Sequence, residues 1–166
     1  MDNERLQPPP LTLLDRYRGQ GFTALYTTTV TVSGGEAAHG RASGRARSDD
    51  GNLAIDLRLP AAMGGPGNGT NPEQLFAAGY AACFHGALGL LARRAHVDMA
   101  QATVAVEVAF GRDPVDGGYA LIAEVRVRMP GVARPLAEEL VRNTERLCPY
   151  AKMAREGIHS VVCVVD

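Results

Sequence analysis

The stretch that decides the fold is NPEQLFAAGYAACF, residues 71–84, and no charged residue follows Glu73 until residue 93. Asn71 is a favoured helix N-cap, Pro72 suits the first helical position, and Glu73 places a negative charge in the first turn. Two arginines follow directly after residue 92, and their charges suit a helix C-terminus. We therefore predict one long central helix that begins after Asn71.

This helix is apolar enough to raise the question of a membrane span. Residues 75–92 carry no charge over 18 positions, which reaches the lower limit of spanning length. The segment is built mostly from alanine and glycine, however, and contains Tyr80 and His85. Because a helix that is apolar all round is also typical of the buried centre of a globular protein, we expect a buried helix and no membrane.

The residues before the helix predict an antiparallel meander. Residues 22–33 are rich in threonine, valine and aromatic side chains, as strands are. We predict further strands over residues 40–47 and 53–59, joined by a hairpin turn at residues 49–52 with the sequence DDGN.

The residues after the helix predict a second hairpin and two more helices. Two alternating segments flank a turn at residues 112–118, and Pro149 interrupts a helical pattern of apolar residues. The expected elements are strands over 103–110 and 119–129, helices over 135–147 and 150–156, and a closing strand over 158–165. The order βββ-α-ββ-α-α-β is an α+β fold with antiparallel sheets and a long buried central helix.

Composition bounds the class of protein. The 166 residues are 46% hydrophobic and 21% charged, which fits a single domain, here residues 22–166, after an N-terminal arm of residues 1–21 that contains three consecutive prolines. The net charge of −1 leaves no polycationic surface, so we expect no nucleic-acid partner. The acidic start lacks an apolar stretch and does not resemble a signal peptide, so we expect a cytoplasmic protein.

Three cysteines are the candidates for chemistry. Cys83 lies in the apolar helix, where a cysteine is ordinarily an inert core residue. Cys148 precedes Pro149, so it stands at the end of an element, where its thiol is easier to reach. Two such thiols are able to form a reversible disulfide, or each is merely structural. Cys163 lies in the predicted closing strand, and we expect it to be a core or strand residue.

A reactive thiol at Cys83 requires a cation, because an apolar helix disfavours the thiolate. Arg41 and Arg45 are candidates, since neighbouring glycines allow close backbone approach; a surface salt bridge is the ordinary alternative for each. Glu73 is able to orient an arginine by a bidentate contact, although its position alone favours a structural role at the helix start.

The spacing of Glu73 and Cys83 constrains any shared site. Ten residues of helix correspond to about 15 Å along the axis, so the two side chains cannot touch within one straight helix. Either the helix breaks between them or Glu73 comes from a second subunit. We favour the second alternative, which predicts a homodimer with the alanine- and glycine-rich helix at its interface.

Metal and nucleotide sites are not indicated. The four histidines show no paired spacing with the cysteines, and no Cys-x-x-Cys motif occurs, so we expect no metal. The glycine-rich residues 64–70 precede a helix but lack the Gly-Lys-Ser/Thr ending of a phosphate-binding loop. We interpret them as a flexible loop.

Three motifs together resemble a known family. GTNPEQLFAAGY at residues 69–80, Cys83 with its following phenylalanine, and Cys-Pro-Tyr at residues 148–150 are similar to the organic hydroperoxide resistance (Ohr) branch of the OsmC/Ohr family. The resemblance covers roughly residues 26–165. It implies a cofactor-free thiol peroxidase that reduces organic hydroperoxides, built as an intertwined homodimer with two active sites near the subunit interface.

The resemblance also implies roles for individual residues. Cys83 corresponds to the peroxidatic thiol, which becomes a sulfenic acid, and Cys148 to the resolving thiol, which condenses with it to a disulfide. Glu73 matches the catalytic carboxylate. Arg41 matches the catalytic cation, with Arg45 as second choice, because the family's Gly-Gly-Arg pattern is displaced here. A dihydrolipoyl-bearing protein is the implied reductant.

Two other functions remain open on the sequence. One is a more general OsmC-type peroxidase, although the Cys-Pro-Tyr and NPEQLF motifs favour the Ohr branch. The other is a small-ligand-binding or structural dimer in which Cys83 is simply buried. An accessible, readily ionised Cys83 would distinguish the enzymes from the non-enzymatic alternative.

Overall fold

The computed structural model describes residues 17–36 and 42–165. Most of the predicted N-terminal arm, residues 1–16, lies outside the described residues. The elements, in chain order, are β1 (Val30–Ser33), β2 (Gly44–Ser48), β3 (Ala54–Leu57), α1 (Pro72–Arg94), β4 (Thr103–Arg112), β5 (Tyr119–Arg128), α2 (Arg134–Leu147) and α3 (Pro149–Glu156). The predicted order of strands and helices is confirmed through α3.

The first three strands form the predicted antiparallel meander. They lie in the order β1-β2-β3, and Ala46 at the centre of β2 pairs with Val32 on one side and Ile55 on the other. The hairpin turn at residues 49–52 is closed by the backbone N–H of Ser48, which donates to the carbonyl of Leu53 at 2.9 Å. The alternation along β2 buries Ala46 and exposes the arginines beside it.

The predicted strand over residues 22–33 is wrong for most of its length, because pairing begins only at Val30. Phe22 and Leu25 are each 97% exposed. The last backbone hydrogen bond between the two segments runs from the N–H of Asp49 to the carbonyl of Thr29, at 2.9 Å. The chain then turns at residues 49–52, so β2 offers residues 22–28 no backbone to pair with. The second predicted strand is also shorter than expected: residues 42–43 precede β2, and residues 40–41 lie outside the described residues.

Helix α1 begins and ends where its sequence predicts. The backbone N–H of Gln74 donates to the side-chain oxygen of Asn71 at 2.9 Å, the hydrogen bond of an N-cap. The helix then continues unbroken for 23 residues to Arg94. Within one chain, burial is confined to one side of the helix, at Tyr80, Phe84, Leu88, Leu91 and Ala92.

Among the described residues, α1 is the one helix with the length and composition to cross a membrane. Its most apolar window has a mean hydropathy of 1.6, and 28% of that window is buried. A single such helix is weak evidence of a membrane span, since core helices of globular proteins have the same composition.

The described chain divides into two compact units. The helical unit comprises residues 78–107 and 123–165, and the strand unit comprises residues 17–77 and 108–122. The core of the helical unit is formed by Leu88, Leu91 and Ala92 of α1 with Leu140 of α2. The core of the strand unit includes Ala46, Leu57 and Leu59.

The predicted closing strand over residues 158–165 is also wrong. None of the described residues pairs with it, and the side chains of Val162 and Val164 are 95% and 99% exposed. A strand needs a neighbouring edge for its backbone hydrogen bonds, and residues 158–165 lie against the edge of none of the described strands. Cys163 is exposed as well, which corrects the expectation that it is a core or strand residue.

Candidate active site: a cysteine pair in the helical unit

Cys148 is held by its place at the junction of two helices. It is the only residue between α2 and α3, and its backbone is extended, with φ −67° and ψ 120°. Its N–H donates to the carbonyl of Thr144 at 2.8 Å, and its carbonyl accepts from the N–H of Lys152 at 3.0 Å. Because Pro149 starts α3 immediately, the sulfur is fixed by both helices at once.

The fold brings Cys148 to Cys83. The thiol of Cys148 donates to the sulfur of Cys83, with 3.3 Å between the two Sγ atoms. Both cysteines are free, Cys83 half-buried on α1 and Cys148 fully buried. Since a disulfide needs about 2.05 Å between its sulfurs, the pair lies within a short movement of bonding distance.

Burial raises the pKa of the Cys148 thiol. Desolvation, together with the neighbouring Cys83 sulfur, raises the pKa of the Cys148 thiol to about 11, although backbone N–H groups of Ala151 and Tyr150 lower it in part. Cys148 therefore carries its proton near neutral pH. The pair is unequal in access: a buried, protonated thiol stands beside a half-buried one.

Aromatic side chains surround the pair. The ring of Tyr80 lies 6.0 Å from that of Tyr150 and 6.5 Å from that of Phe84, measured between centroids. Burial, followed by the nearby Cys148 sulfur, raises the pKa of the Tyr80 hydroxyl. The Tyr80 hydroxyl therefore stays neutral near the Cys148 sulfur at neutral pH.

Sequence reasoning missed this aromatic contribution. The signal that could have found it is the Cys-Pro-Tyr motif: a proline that starts a helix directly after Cys148 places Tyr150 within the first turn, close to the sulfur. Tyr80 interrupts the apolar helix and ends the motif at residues 69–80, but nothing in the sequence indicated a role for it beside the sulfurs.

The other predicted site residues have different positions. Glu73 is half-buried in the first turn of α1. Since α1 is unbroken between Glu73 and Cys83, the alternative of a helix break is excluded. Arg41 lies outside the described residues. Arg45 lies on β2 with its side chain 60% exposed, and its Nε is 3.9 Å from a carboxylate oxygen of Asp56, which is the surface ion pair considered as its ordinary alternative.

In the described parts of the chain, no group of three or more His, Cys, Asp or Glu residues is placed to hold a metal ion. Two thiols in contact are able to perform nucleophilic attack, oxidation and disulfide formation.

Comparison with known proteins defines the class. The family model for OsmC-like proteins matches residues 65–162, a span that contains both Cys83 and Cys148. The chain belongs to this OsmC-like family.

Individual relatives narrow the assignment. The chain is 39% identical over 135 residues to the organic hydroperoxide resistance protein OhrB of Bacillus subtilis, covering 81% of this chain and 94% of that protein. It is 38% identical to the organic hydroperoxide resistance protein of Xanthomonas axonopodis pv. citri, covering 81% and 90%. Within the family, the chain lies on the organic hydroperoxide resistance branch.

Solved structures agree with this assignment. An organic hydroperoxide resistance protein from Elizabethkingia anophelis superposes with a TM-score of 0.72 at 36% identity, covering 81% of this chain and 92% of that one. The crystal structure of OhrB from Bacillus subtilis gives a TM-score of 0.67 at 40% identity, with 80% and 93% covered. The predicted α+β fold of the family is confirmed.

Proposed function

We propose that this protein protects against organic hydroperoxides by reducing them to alcohols at a cysteine pair. The observation that carries the proposal is the 3.3 Å contact between the half-buried Cys83 and the buried Cys148. A second thiol held this close gives an oxidised Cys83 a partner within reach. The names of the relatives from Bacillus and Xanthomonas, both organic hydroperoxide resistance proteins, support the substrate class.

In the first step, the thiolate of Cys83 attacks the terminal oxygen of the hydroperoxide, ROOH. The O–O bond breaks, the alkoxide takes a proton and leaves as ROH, and Cys83 becomes a sulfenic acid.

In the second step, the Cys148 thiol attacks the Cys83 sulfenic acid. The S–S bond forms and one water leaves, made from the sulfenic hydroxyl and the proton of Cys148. An external dithiol then restores the pair by two thiol–disulfide exchanges, each passing through a mixed disulfide. We assign this role to a dihydrolipoyl-bearing protein, on the resemblance to the family.

For the cation, we propose Arg41, oriented by Glu73. A thiolate on an apolar helix requires a positive partner, and Arg45 is already opposite Asp56 on the surface of β2. Comparing Arg41→Ala with Arg45→Ala at one pH tests the choice. We expect the larger loss of peroxide reduction in Arg41→Ala, and a larger loss in Arg45→Ala would reverse the assignment.

We further propose that the protein acts as a homodimer in the cytoplasm, a reducing compartment where free thiols persist. Two observations support the dimer: α1 is apolar yet buried along only one side, and the apolar residues 158–165 are exposed. We propose that a second subunit covers these surfaces. The same subunit would contribute its Glu73 to the site of Cys83, since the unbroken helix keeps the two residues of one chain apart.

Stopped-flow reduction of an alkyl hydroperoxide by the pre-reduced protein, followed by mass spectrometry, tests the peroxidase. We expect a Cys83–Cys148 disulfide and one alcohol per pair. Cys148→Ser is the informative variant, because its Cys83 should stop at the sulfenic acid and then over-oxidise. An unchanged pair of thiols after exposure to substrate would contradict the proposal.

A further inference from the structure

Gly79 lies one helical turn before Cys83, on the same face of α1. Residues four apart on a helix stack above one another, and residues seven apart return to nearly the same face. Gly79, Cys83 and Gly86 therefore form one line along α1. The junction of α2 and α3 contacts this line at Cys83, where the two sulfurs meet.

The same junction contacts the line a second time, at Gly79. A Cβ atom added to Gly79 would lie 2.8 Å from the hydroxyl oxygen of Tyr150 and 3.2 Å from two carbons of its ring. Side-chain carbons do not approach other atoms to 2.8 Å without displacing them. Only glycine at this position leaves room for the Tyr150 ring where it stands.

The two contacts are linked through the chain. Tyr150 follows Cys148 by two residues, and both belong to the junction that Pro149 makes rigid. A shift of the Tyr150 ring away from α1 that its side-chain torsions do not absorb therefore moves the backbone that carries the Cys148 sulfur. On the other side, Tyr150 packs against Tyr80, with 6.0 Å between their ring centroids, which leaves it little room to turn aside.

From this geometry we propose that Gly79 is a positioning residue for the cysteine pair: by admitting the Tyr150 ring against α1, it sets the distance between the sulfurs of Cys83 and Cys148. The role deepens the proposed function, because it acts on the resolving step. Condensation of the Cys83 sulfenic acid with the Cys148 thiol, which forms the S–S bond and releases water, depends on this distance. Attack of Cys83 on the hydroperoxide does not.

The test is the variant Gly79→Ala, measured by the equilibrium between the reduced and disulfide forms in buffers of reduced and oxidised glutathione. We expect the equilibrium constant for disulfide formation to fall about tenfold or more, because a displaced Cys148 sulfur strains the disulfide geometry, and such strain makes the bond more reducible. This measurement uses no peroxide, so it remains valid even if the protein does not reduce hydroperoxides.

Gly86→Ala is the matched control. It makes the same substitution two turns later on the same face, where a Cβ would meet nothing within 4 Å. Both variants replace glycine by alanine inside a helix, which favours the helical state. We expect Gly86→Ala to keep the equilibrium constant of the unchanged protein. Equal values for Gly79→Ala and Gly86→Ala would overturn the proposal.

Rescue separates positioning from a general disturbance. Tyr150→Phe removes the hydroxyl oxygen, the atom nearest to the added Cβ. We expect Gly79→Ala to lower the equilibrium constant by a smaller factor in the Tyr150→Phe background than in the unchanged protein. If Gly79→Ala lowered the equilibrium constant by the same factor in both backgrounds, Tyr150 would not transmit the effect, and the inference would be rejected.

The kinetic counterpart uses the proposed reaction. In Gly79→Ala, the Cys83 sulfenic acid should form at an unchanged rate in stopped-flow mixing with an alkyl hydroperoxide, while the disulfide appears more slowly and over-oxidised Cys83 accumulates. A slower first step with an unchanged second step would contradict a positioning role.

Discussion

The thiol corner, formed by Cys83 on α1 with Cys148 and Tyr150 at the α2–α3 junction, differs sharply from the C-terminal segment, residues 158–165. Both are apolar and each contains a cysteine. In the thiol corner the side chains contact one another, and Cys148 is fully buried. In the C-terminal segment the large apolar side chains are 71% to 99% exposed, and Cys163 is exposed with them.

The difference shows which parts of the fold one chain is able to form by itself. The contacts of the thiol corner join helices of the same compact unit, so intrachain packing suffices to form it. A strand needs an edge to pair with, and the described strands leave the C-terminal segment without one. Exposed apolar surface of this kind is typical of a region that a partner covers.

The largest expected effect contrasts the cysteines of the two regions. Cys83→Ser should reduce the rate of peroxide reduction by a factor on the order of 10³ or more, as removal of a nucleophile does. Cys163→Ser should leave the rate unchanged, because its side chain is exposed and has no second cysteine beside it among the described residues. Steady-state reduction of an alkyl hydroperoxide measures both. Loss of activity in Cys163→Ser would mean that the C-terminal segment takes part in the chemistry.

The next prediction concerns the dimer. The double variant Val162→Asp, Val164→Asp should weaken self-association by about 100-fold or more, since burying an unpaired carboxylate costs several kcal/mol. Analytical ultracentrifugation over a range of concentrations measures it.

Val115→Asp is its control, because Val115 is similarly exposed, at 91%, but lies between Asp113 and Asp116 in the polar turn that joins β4 and β5, so the substitution should change association little. If the double variant kept the molar mass of the unchanged protein at every concentration, the C-terminal segment would not be part of the interface.

A smaller effect should appear in alkaline solution. The thiol of Cys148 ionises near pH 9.0 in the unfolded chain and near 11 in the folded one. Because the folded state holds the proton more tightly, its stability from this group is complete below about pH 9 and decreases as the pH rises towards 11. Urea unfolding at pH 8 and pH 10.5 should show a larger decrease in the reduced protein than in Cys148→Ser. Equal decreases would indicate that Cys148 is not desolvated in the fold.

The smallest effect tests a purely local signal. Asn71→Ala removes the N-cap hydrogen bond to Gln74 and should lower the free energy of unfolding by about 1 kcal/mol. Asn71→Asp keeps an acceptor oxygen at the same place and should restore most of the stability. Chemical denaturation compares the two. Equal stabilities of the alanine and aspartate variants would mean that the cap contributes nothing.

The sequence predicted those features that depend on neighbouring residues. The start of α1 at Asn71, its end at Arg94 and the turn at residues 49–52 all follow from local signals and are confirmed. The resemblance to the family was carried by short motifs and is confirmed as well.

Features that depend on distant contacts were not predictable in the same way. The strand over residues 22–33 had suitable composition, but its length is set by where β2 turns. The approach of Cys83 to Cys148 joins positions 65 apart in the chain, and the sequence raised it only as one alternative. The place of Gly79 against Tyr150 gave no signal, since a glycine in an alanine-rich helix looks like any other small residue.

The junction at Cys148 also fixes how the chain can vary in length. A single residue ends α2 and precedes α3, so there is no loop to absorb an insertion. One extra residue continued into α2 would turn the following backbone by about 100° around the helix axis and carry the sulfur away from α1. Insertions and deletions are therefore tolerable in the turns of this protein. Between Leu147 and Pro149 they would displace the Cys148 sulfur, so the chain length there is fixed.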